Sequence, residues 1–506
     1  MQIHIPKFND VWLDNALANF YSLLYELYQD DEVLEHLELH PDGLSYSFSD
    51  QEAFVDALAQ LIISYRSSLV VIVENSKTGE RKENKKDHVL IQEGKKLQGK
   101  VSFKENIFNE QQTVGVLQEI YQNLKGKKLR CFFCNRPFKK KIKNIQQASY
   151  PFVTKIASLS GIRSGQDIKL TEYTAEYCPQ CYLLGVLEWL DPSLVYRNLP
   201  KQKSIIILPN LERLDDLVRL KNSYYRILEN TQRWSNIRTR IDLPEVENTP
   251  GRYTTFVSFL EKFLRYMEPK FDKTSWFIIE IPQSGSVKNP KYFNIALKDK
   301  TLRLLDTLLR RKESYVYSGL IKNFYLFYND PKKQNKRDFD LENEIHEQLC
   351  KALILDDFKM FALSFVPQRG VHPGISHESM KILNQLIFYW RVEPMKLENK
   401  EEYVKTVGMA ASTLAKLIGT RLGLFFKLEK ANNPRQFMEA VQEITRRMMI
   451  DDTATSGALY THAVEKLLQW IIERYDEKDG KEFFETTKNM LLIYTSLRAK
   501  KDKVNL

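Results

Sequence analysis

Four of the chain's five cysteines fall in two Cys-x-x-Cys pairs, Cys131 and Cys134 in RCFFCN and Cys178 and Cys181 in EYCPQCY. Two pairs on tight turns can close on one ion and form a structural tetrahedral Zn²⁺ site. A thioredoxin-like redox pair or unconnected buried thiols would also use this spacing, but neither explains why there are two pairs. Lys128, Arg130 and Arg136 flank the first pair and favour its thiolates. Between Cys134 and Cys178 lie 43 residues, against roughly 15–20 in a compact ribbon. Closure entropy grows only logarithmically with loop length, so an insertion between the two halves costs little. The fifth cysteine, Cys350, sits among apolar residues at helical spacing and reads as core.

A zinc site presupposes reduced thiols. The N-terminal stretch MQIHIPKFNDVWLDNAL has no basic region leading into an apolar run, so no secretory signal is expected. No run is long and apolar enough to predict a membrane span. The expected compartment is the reducing cytoplasm.

The segment around the first pair is strongly basic. Residues 121–170 hold twelve basic residues and a single acid, Asp167, while the whole 506-residue chain has a net charge of +10. The charge is therefore concentrated, and the rest of the chain is close to neutral. Lys127, Lys128, Arg130, Arg136, Lys139, Lys140, Lys141, Lys143 and Arg163 are candidate phosphate contacts. Asn135 and Asn144 are candidate base-edge readers, with Gln146 and Gln147 nearby. Aromatic residues make up 12% of the chain, enough to add stacking to such a surface. A merely solvated loop is the alternative.

Periodicity predicts an α+β chain. Helical spacing marks VWLDNALANFYSLLYELYQ, EAFVDALAQLIISYR, NLERLDDLVRLKNSYYRILEN, TTFVSFLEKFLRYM and KDKTLRLLDTLLRRK. Strand patterns mark LSYSFS, SIIILPN and WFIIEIP. ENSKTGERKENKKDH reads as an exposed loop and NDPKKQNKRDFD as a hydrophilic linker. VPQRGVHPGISHES reads as an interdomain connection, followed by helices near 377–391, 400–427, 434–449, 457–474 and 480–500. The expected division is a mixed α/β N-terminal region over 1–125, a basic four-cysteine zinc-binding segment over 126–190, an α/β region over 191–366 and an all-α bundle over 367–506. Lys405, Lys416, Arg421, Arg446, Arg447 and Lys488 give that bundle a partly basic surface, and Lys416, Arg421, Arg446 and Arg447 are further nucleic-acid candidates.

The sequence contains no phosphate-binding P-loop, no H-E-x-x-H and no G-x-S-x-G. Its histidines do not cluster with acids at a metal-hydrolase spacing, so no catalytic residue is expected and the chain reads as a non-enzyme.

Cys131 and Cys134, the run Cys178-Pro179-Gln180-Cys181 leading into YLLGVLEWL, the strand SIIILPN and the helical C-terminal region together resemble the large subunit of type I CRISPR Cascade complexes, in the zinc-containing subtype I-B form. The resemblance covers most of the chain. It implies a non-catalytic role in RNA-guided antiviral defence. Such a subunit holds the 5′ handle of the crRNA, reads the protospacer-adjacent motif on double-stranded DNA and helps open an R-loop, with its helical domain along the displaced strand. The implied partners are crRNA, target DNA, the backbone, handle-binding and small subunits of the complex, and a recruited helicase-nuclease. In RNA-guided transposition, transposition proteins take the last place. Base pairing with the guide then supplies specificity, and the protein senses only the adjacent motif and duplex shape. A zinc-ribbon RNA-binding protein outside CRISPR and a scaffold for an acidic protein partner are the other classes open to this sequence.

Overall fold

The structure, a computed structural model, describes residues 1–30, 33–67, 71–74, 81–84, 106–143, 145, 149–151, 177–191, 193–199, 203–230, 251–264, 267–268, 271, 274–282, 291–328, 338–368, 371–418, 422–448 and 458–498. It forms two compact units, one from Met1–Asn248 with Tyr266–Ala296 and one from Thr249–Arg265 with Leu297–Leu506. The architecture is mixed α/β with small sheets. No described helix is long and apolar enough to cross a membrane.

In the first unit, β1 (Gln2–Pro6) precedes helix α1 (Val11–Asp30), and β2 (His36–His40) precedes β3 (Gly43–Ser47). The three strands form an antiparallel sheet in the order β1-β3-β2, with Ile5 and Leu39 each opposite Leu44. Helix α2 (Gln51–Ser67), the hairpin of β4 (Val71–Glu74) and β5 (Arg81–Asn84), and helix α3 (Thr113–Gln122) follow. Then come two short strands, β6 (Leu129–Arg130) and β7 (Pro137–Phe138), and helix α4 (Pro179–Leu187). The unit closes with β8 (Val195–Leu199), β9 (Lys203–Asn210), helix α5 (Leu214–Asn230), β10 (Ser275–Pro282) and β11 (Lys291–Ala296). These last four strands make an antiparallel sheet in the order β11-β10-β9-β8. Its two central strands are near-continuous apolar runs, Ile205–Leu208 being buried on both faces, and Ile278 and Ile279 sit opposite Ile207 and Ile206.

Helix α1 is the axis of this unit. Its first ten residues are all buried, which an amphipathic stripe would not require. The polar ones among them are therefore hydrogen-bonded. Asp14 accepts from Phe8 N at 2.7 Å and pairs with Lys7 at 2.9 Å. Asn15 Nδ2 donates to Pro209 O at 2.9 Å, and Asn19 Nδ2 to Leu187 O at 2.8 Å. Trp12 Nε1 reaches both Ser149 O and Gly185 O at 3.1 Å. Gly185 allows this approach, because a Cβ there would lie 2.0 Å from Ser149 O. Lys221 on α5 donates to Asn15 O at 2.9 Å and pairs with the buried carboxylates Glu188 and Asp191. Burial alone would lower the Lys221 pKa, but the two carboxylates outweigh it and hold the pKa above its usual value.

The second unit begins with α6 (Arg252–Phe263), whose first N–H groups at Tyr253 and Thr254 are capped at 2.9 Å by the Glu347 carboxylate. Helix α7 (Asp299–Leu305) continues into a π-helical turn, Asp306–Arg311, and a second π-helical turn spans Tyr317–Ile321. Then follow β12 (Tyr325–Tyr328), α8 (Phe339–Leu355), α9 (Phe358–Leu363), β13 (Val371–Gly374) and α10 (His377–Ile387). Asp338, Asp357 and Ser376 cap the three helices through their side chains. Cys350 on α8 is fully buried, as its apolar neighbours predict. The remainder is helical: α11 (Lys400–Ile418), α12 (Leu422–Lys430), α13 (Pro434–Met448), α14 (Ala458–Arg474) and α15 (Gly480–Arg498). Helix α11 packs along α14 and α15.

Several expectations need correction. The Pro/Gly-rich stretch before His377 does not connect two compact units. Val371–Gly374 are all buried, pair with Tyr325–Tyr328, and lie inside the second unit. Gly374 serves there because the Tyr325 ring covers it, at 2.5 Å from where a Cβ would stand. The strand-free run of helices therefore starts at His377, and its compact unit also takes in Thr249–Arg265 and Leu297–Ser376. The charged run from Glu74 is not wholly loop, since Arg81–Asn84 pairs with Val71–Glu74 through the backbone, which needs no apolar side chains. The span expected as one helix over 400–427 is two, α11 and α12. Lys488 is not on a basic surface: it is buried and donates to Ala431 O at 2.8 Å. Most of the hydrophilic linker, residues 329–337, lies outside the described residues.

Lys221→Met leaves two carboxylates buried without their cation, so the unfolding free energy in urea should fall by about 3–5 kcal/mol. Adding Asp191→Asn should recover part of that loss, whereas a purely steric role for Lys221 would give no recovery.

Candidate metal centre

The two cysteine pairs come from different kinds of element. Cys131 and Cys134 sit on the loop joining β6 and β7, where Leu129 faces Phe138 and Arg130 faces Pro137. Cys131 N donates to Arg136 O and Asn135 N to Cys131 O, both at 2.9 Å. Closing this turn needs a left-handed residue, and Asn135 supplies it with φ 53°. Asparagine is one of the few residues that adopts this conformation at low cost.

The second pair lies at a helix N-terminus. Cys178 is the N-cap of α4, its Sγ accepting from Cys181 N at 3.4 Å, and Pro179 occupies the first helical position. Cys178 N in turn donates to Cys131 Sγ at 3.4 Å. These N–H groups and the positive end of the helix favour negative sulfur.

The structure brings all four sulfurs within 4.8 Å of one another. Cys131 and Cys181 approach to 3.7 Å, and Cys134 and Cys178 to 3.6 Å. Tetrahedral thiolates at about 2.3 Å from an ion stand about 3.8 Å apart, so the spacing suits a bound cation. No disulfide joins them. Among the described residues this is the one group of His, Cys, Asp or Glu close enough to hold a metal ion.

Without a cation four thiolates cannot coexist. Hydrogen bonds from Cys134, Cys178 and Cys181 hold the Cys131 thiol far below its usual range. Burial pushes Cys181 well up, and the contact with Cys131 pushes Cys178 well up. The turn sulfurs, Cys131 and Cys134, are thus held low and the helix sulfurs, Cys178 and Cys181, high, and an arriving metal ion displaces the protons that remain.

The surroundings are aromatic. Phe133 meets Tyr150 at 4.9 Å and Tyr177 at 5.6 Å between ring centroids, and Tyr177 OH donates to Cys181 O at 2.8 Å. Of the basic candidates, Lys127, Lys128, Arg130, Lys139 and Lys140 are exposed, while Arg136, Lys141 and Lys143 are half-buried. Lys140 pairs with Glu119 at 3.1 Å. The Asn135 side chain is exposed. Asn144, Arg163, Gln146 and Gln147 lie outside the described residues.

Lys416 on α11 and Arg446 on α13 are exposed, in the second unit. Arg447 is on α13, with its side chain outside the described set, and Arg421 is outside it altogether. The buried polar residues of the first unit, Asn15, Asn19 and Lys221, of which Asn19 bonds the helix that carries Cys181, were not singled out from the sequence. Their signal is polar residues inside an otherwise apolar helix, and an Asp, Asn or Lys there reads equally well as a solvent-facing position.

No protein-family model matches the chain, and no curated protein matches it in sequence.

Purified under reducing conditions, the protein should carry about one tetrahedrally bound metal ion per chain, and Cys131→Ser with Cys178→Ser should lose it. Elemental analysis alongside thiol titration checks this, and undiminished metal in the double variant would refute it. For the turn, Asn135→Gly should retain metal and stability, whereas Asn135→Val should lose about 1–2 kcal/mol. Thermal unfolding of the loaded proteins distinguishes the two.

Proposed function

We propose that this chain is the large subunit of a crRNA-guided type I CRISPR Cascade complex, a cytoplasmic, non-catalytic nucleic-acid-binding protein with one structural zinc ion. The observation that carries the reading is the meeting of the four cysteines at the two ends of the chain's most basic segment. All-sulfur ligation in a closed site is the donor set of structural zinc. When bound, the ion ties the two ends of the insertion together, and the residues around it do the binding. Lys127, Lys128, Arg130 and Lys139 stand exposed on the hairpin, free to meet phosphates. In this reading the segment contacts the crRNA handle or the duplex beside the target, and the helical region accompanies the displaced strand. The recruited partner decides the output, a helicase-nuclease giving DNA degradation and transposition proteins giving insertion.

Two experiments test it. When the protein is purified from its own cells after nuclease treatment, sequencing of the bound nucleic acid should return RNA of one defined length with a common 5′ end. RNA of random length, or none, rejects the guide-complex reading. Replacing Lys127, Lys128, Arg130 and Lys139 with Ala should weaken binding to duplex DNA. It should also flatten the slope of log K against log salt by about 0.9 for each phosphate that the variant no longer neutralises. An unchanged slope would make these residues a solvated face.

A further inference from the structure

The turn between Cys131 and Cys134 carries a residue that neither the fold nor the metal requires. Phe132 is 72% exposed, more than any other large apolar residue among those described. Its neighbour Phe133 is the one that packs inward, onto Tyr150 and Tyr177. A zinc turn needs only a backbone at position 132, and a polar side chain there would solvate better.

The exposed ring is nonetheless held. It sits edge-to-face on Phe133, with centroids 5.4 Å apart and planes at 83°. Its backbone lies between two cysteines of the cluster, inside a turn closed by Cys131 N to Arg136 O and Asn135 N to Cys131 O. Ordering the ring against a ligand therefore costs little side-chain entropy.

The electrostatic surroundings narrow the occupant. No acidic residue occurs from Ile120 to Gln166, and Lys127, Lys128 and Arg130 stand exposed just before the ring. An apolar protein face laid on Phe132 would have to strip water from these cations without compensation. A nucleic-acid strand offers both matches at once, a π face for the ring and phosphates for the cations. A base inside a duplex has its faces covered by its neighbours, so the base must be unpaired.

We propose that Phe132 is a stacking platform for one unpaired base of a single strand whose phosphates run along Lys127, Lys128 and Arg130. This inference rests on the reading of the basic segment as a nucleic-acid surface and adds to it the strandedness and the contact.

The test uses the full-length, metal-loaded protein and fluorescence anisotropy with labelled oligouridine, oligothymidine of the same length and a blunt DNA duplex. Stacking on one aromatic ring makes Phe132→Ala and Phe132→Leu bind single strands about 5- to 150-fold more weakly, while Phe132→Trp retains affinity. The salt slope stays unchanged, because the same phosphates remain neutralised. Duplex affinity also stays unchanged. Comparing the RNA and DNA arms shows which strand the platform prefers.

If Phe132→Leu binds like the wild type, the contact is a general apolar one and the stacking proposal is overturned. If Phe132→Ala binds single strands normally while the four-residue basic variant does not, the platform is wrong but the nucleic-acid surface stands. If neither variant changes binding, that surface falls as well. Elemental analysis of each variant guards against metal loss. A variant that loses its ion is replaced by Phe132→Tyr, which must bind as tightly as the wild type or the proposal fails.

Discussion

Helix α1 anchors three segments that are far from it in sequence, and it does so with polar side chains in a buried interior. Trp12, Asn15 and Asn19 satisfy backbone carbonyls at Ser149, Gly185, Leu187 and Pro209. Leaving such a buried group unpaired costs about 1–3 kcal/mol each. Apolar packing alone would hold these segments with loose register; directed hydrogen bonds set their positions. The consequence reaches the metal centre. Helix α4, which carries Cys181 and is capped by Cys178, is tied to α1 through Gly185 and Leu187, so half of the site has its geometry from the protein. The β6–β7 turn supplies the other half and is joined to the first across the sulfurs.

What the sequence revealed followed from how each signal arises. Long helices with a 3.6-residue period were legible almost to their ends: 434–449 and 457–474 were expected, and Pro434–Met448 and Ala458–Arg474 are found. The cysteine set was legible because two pairs of one residue type in one spacing leave few chemical explanations. Strands held by backbone pairing alone were not. Arg81–Asn84 has no apolar alternation, and Val371–Gly374 contains the proline and glycine that ordinarily mark a loop. Lys488 shows the same limit for charge. A lysine on a helix reads as solvated, yet this one is buried with its ammonium on the carbonyl of Ala431, just past the end of α12.

Asn135 shows how one residue type can answer to two causes. Its amide invites a reading as a base-edge contact, but its backbone at φ 53° already explains why asparagine is there. Phe132, three residues earlier, is the reverse case. Nothing in the turn requires it, and its exposure is unexplained by packing. Function is better sought where local structure leaves a residue unaccounted for than where residue type alone looks suitable.

The closeness of Cys134 to Cys178, 3.6 Å between sulfurs, has a consequence for how such a chain can change over time. The 43 residues between them therefore begin and end at nearly the same point. The cluster fixes both ends of this stretch. Doubling its length would cost only about 0.6 kcal/mol in closure entropy. Residues can be added between the two pairs at little closure cost while the four sulfurs keep their positions. The fold thus separates the joined end points, which stability requires, from the length of chain between them, which can change.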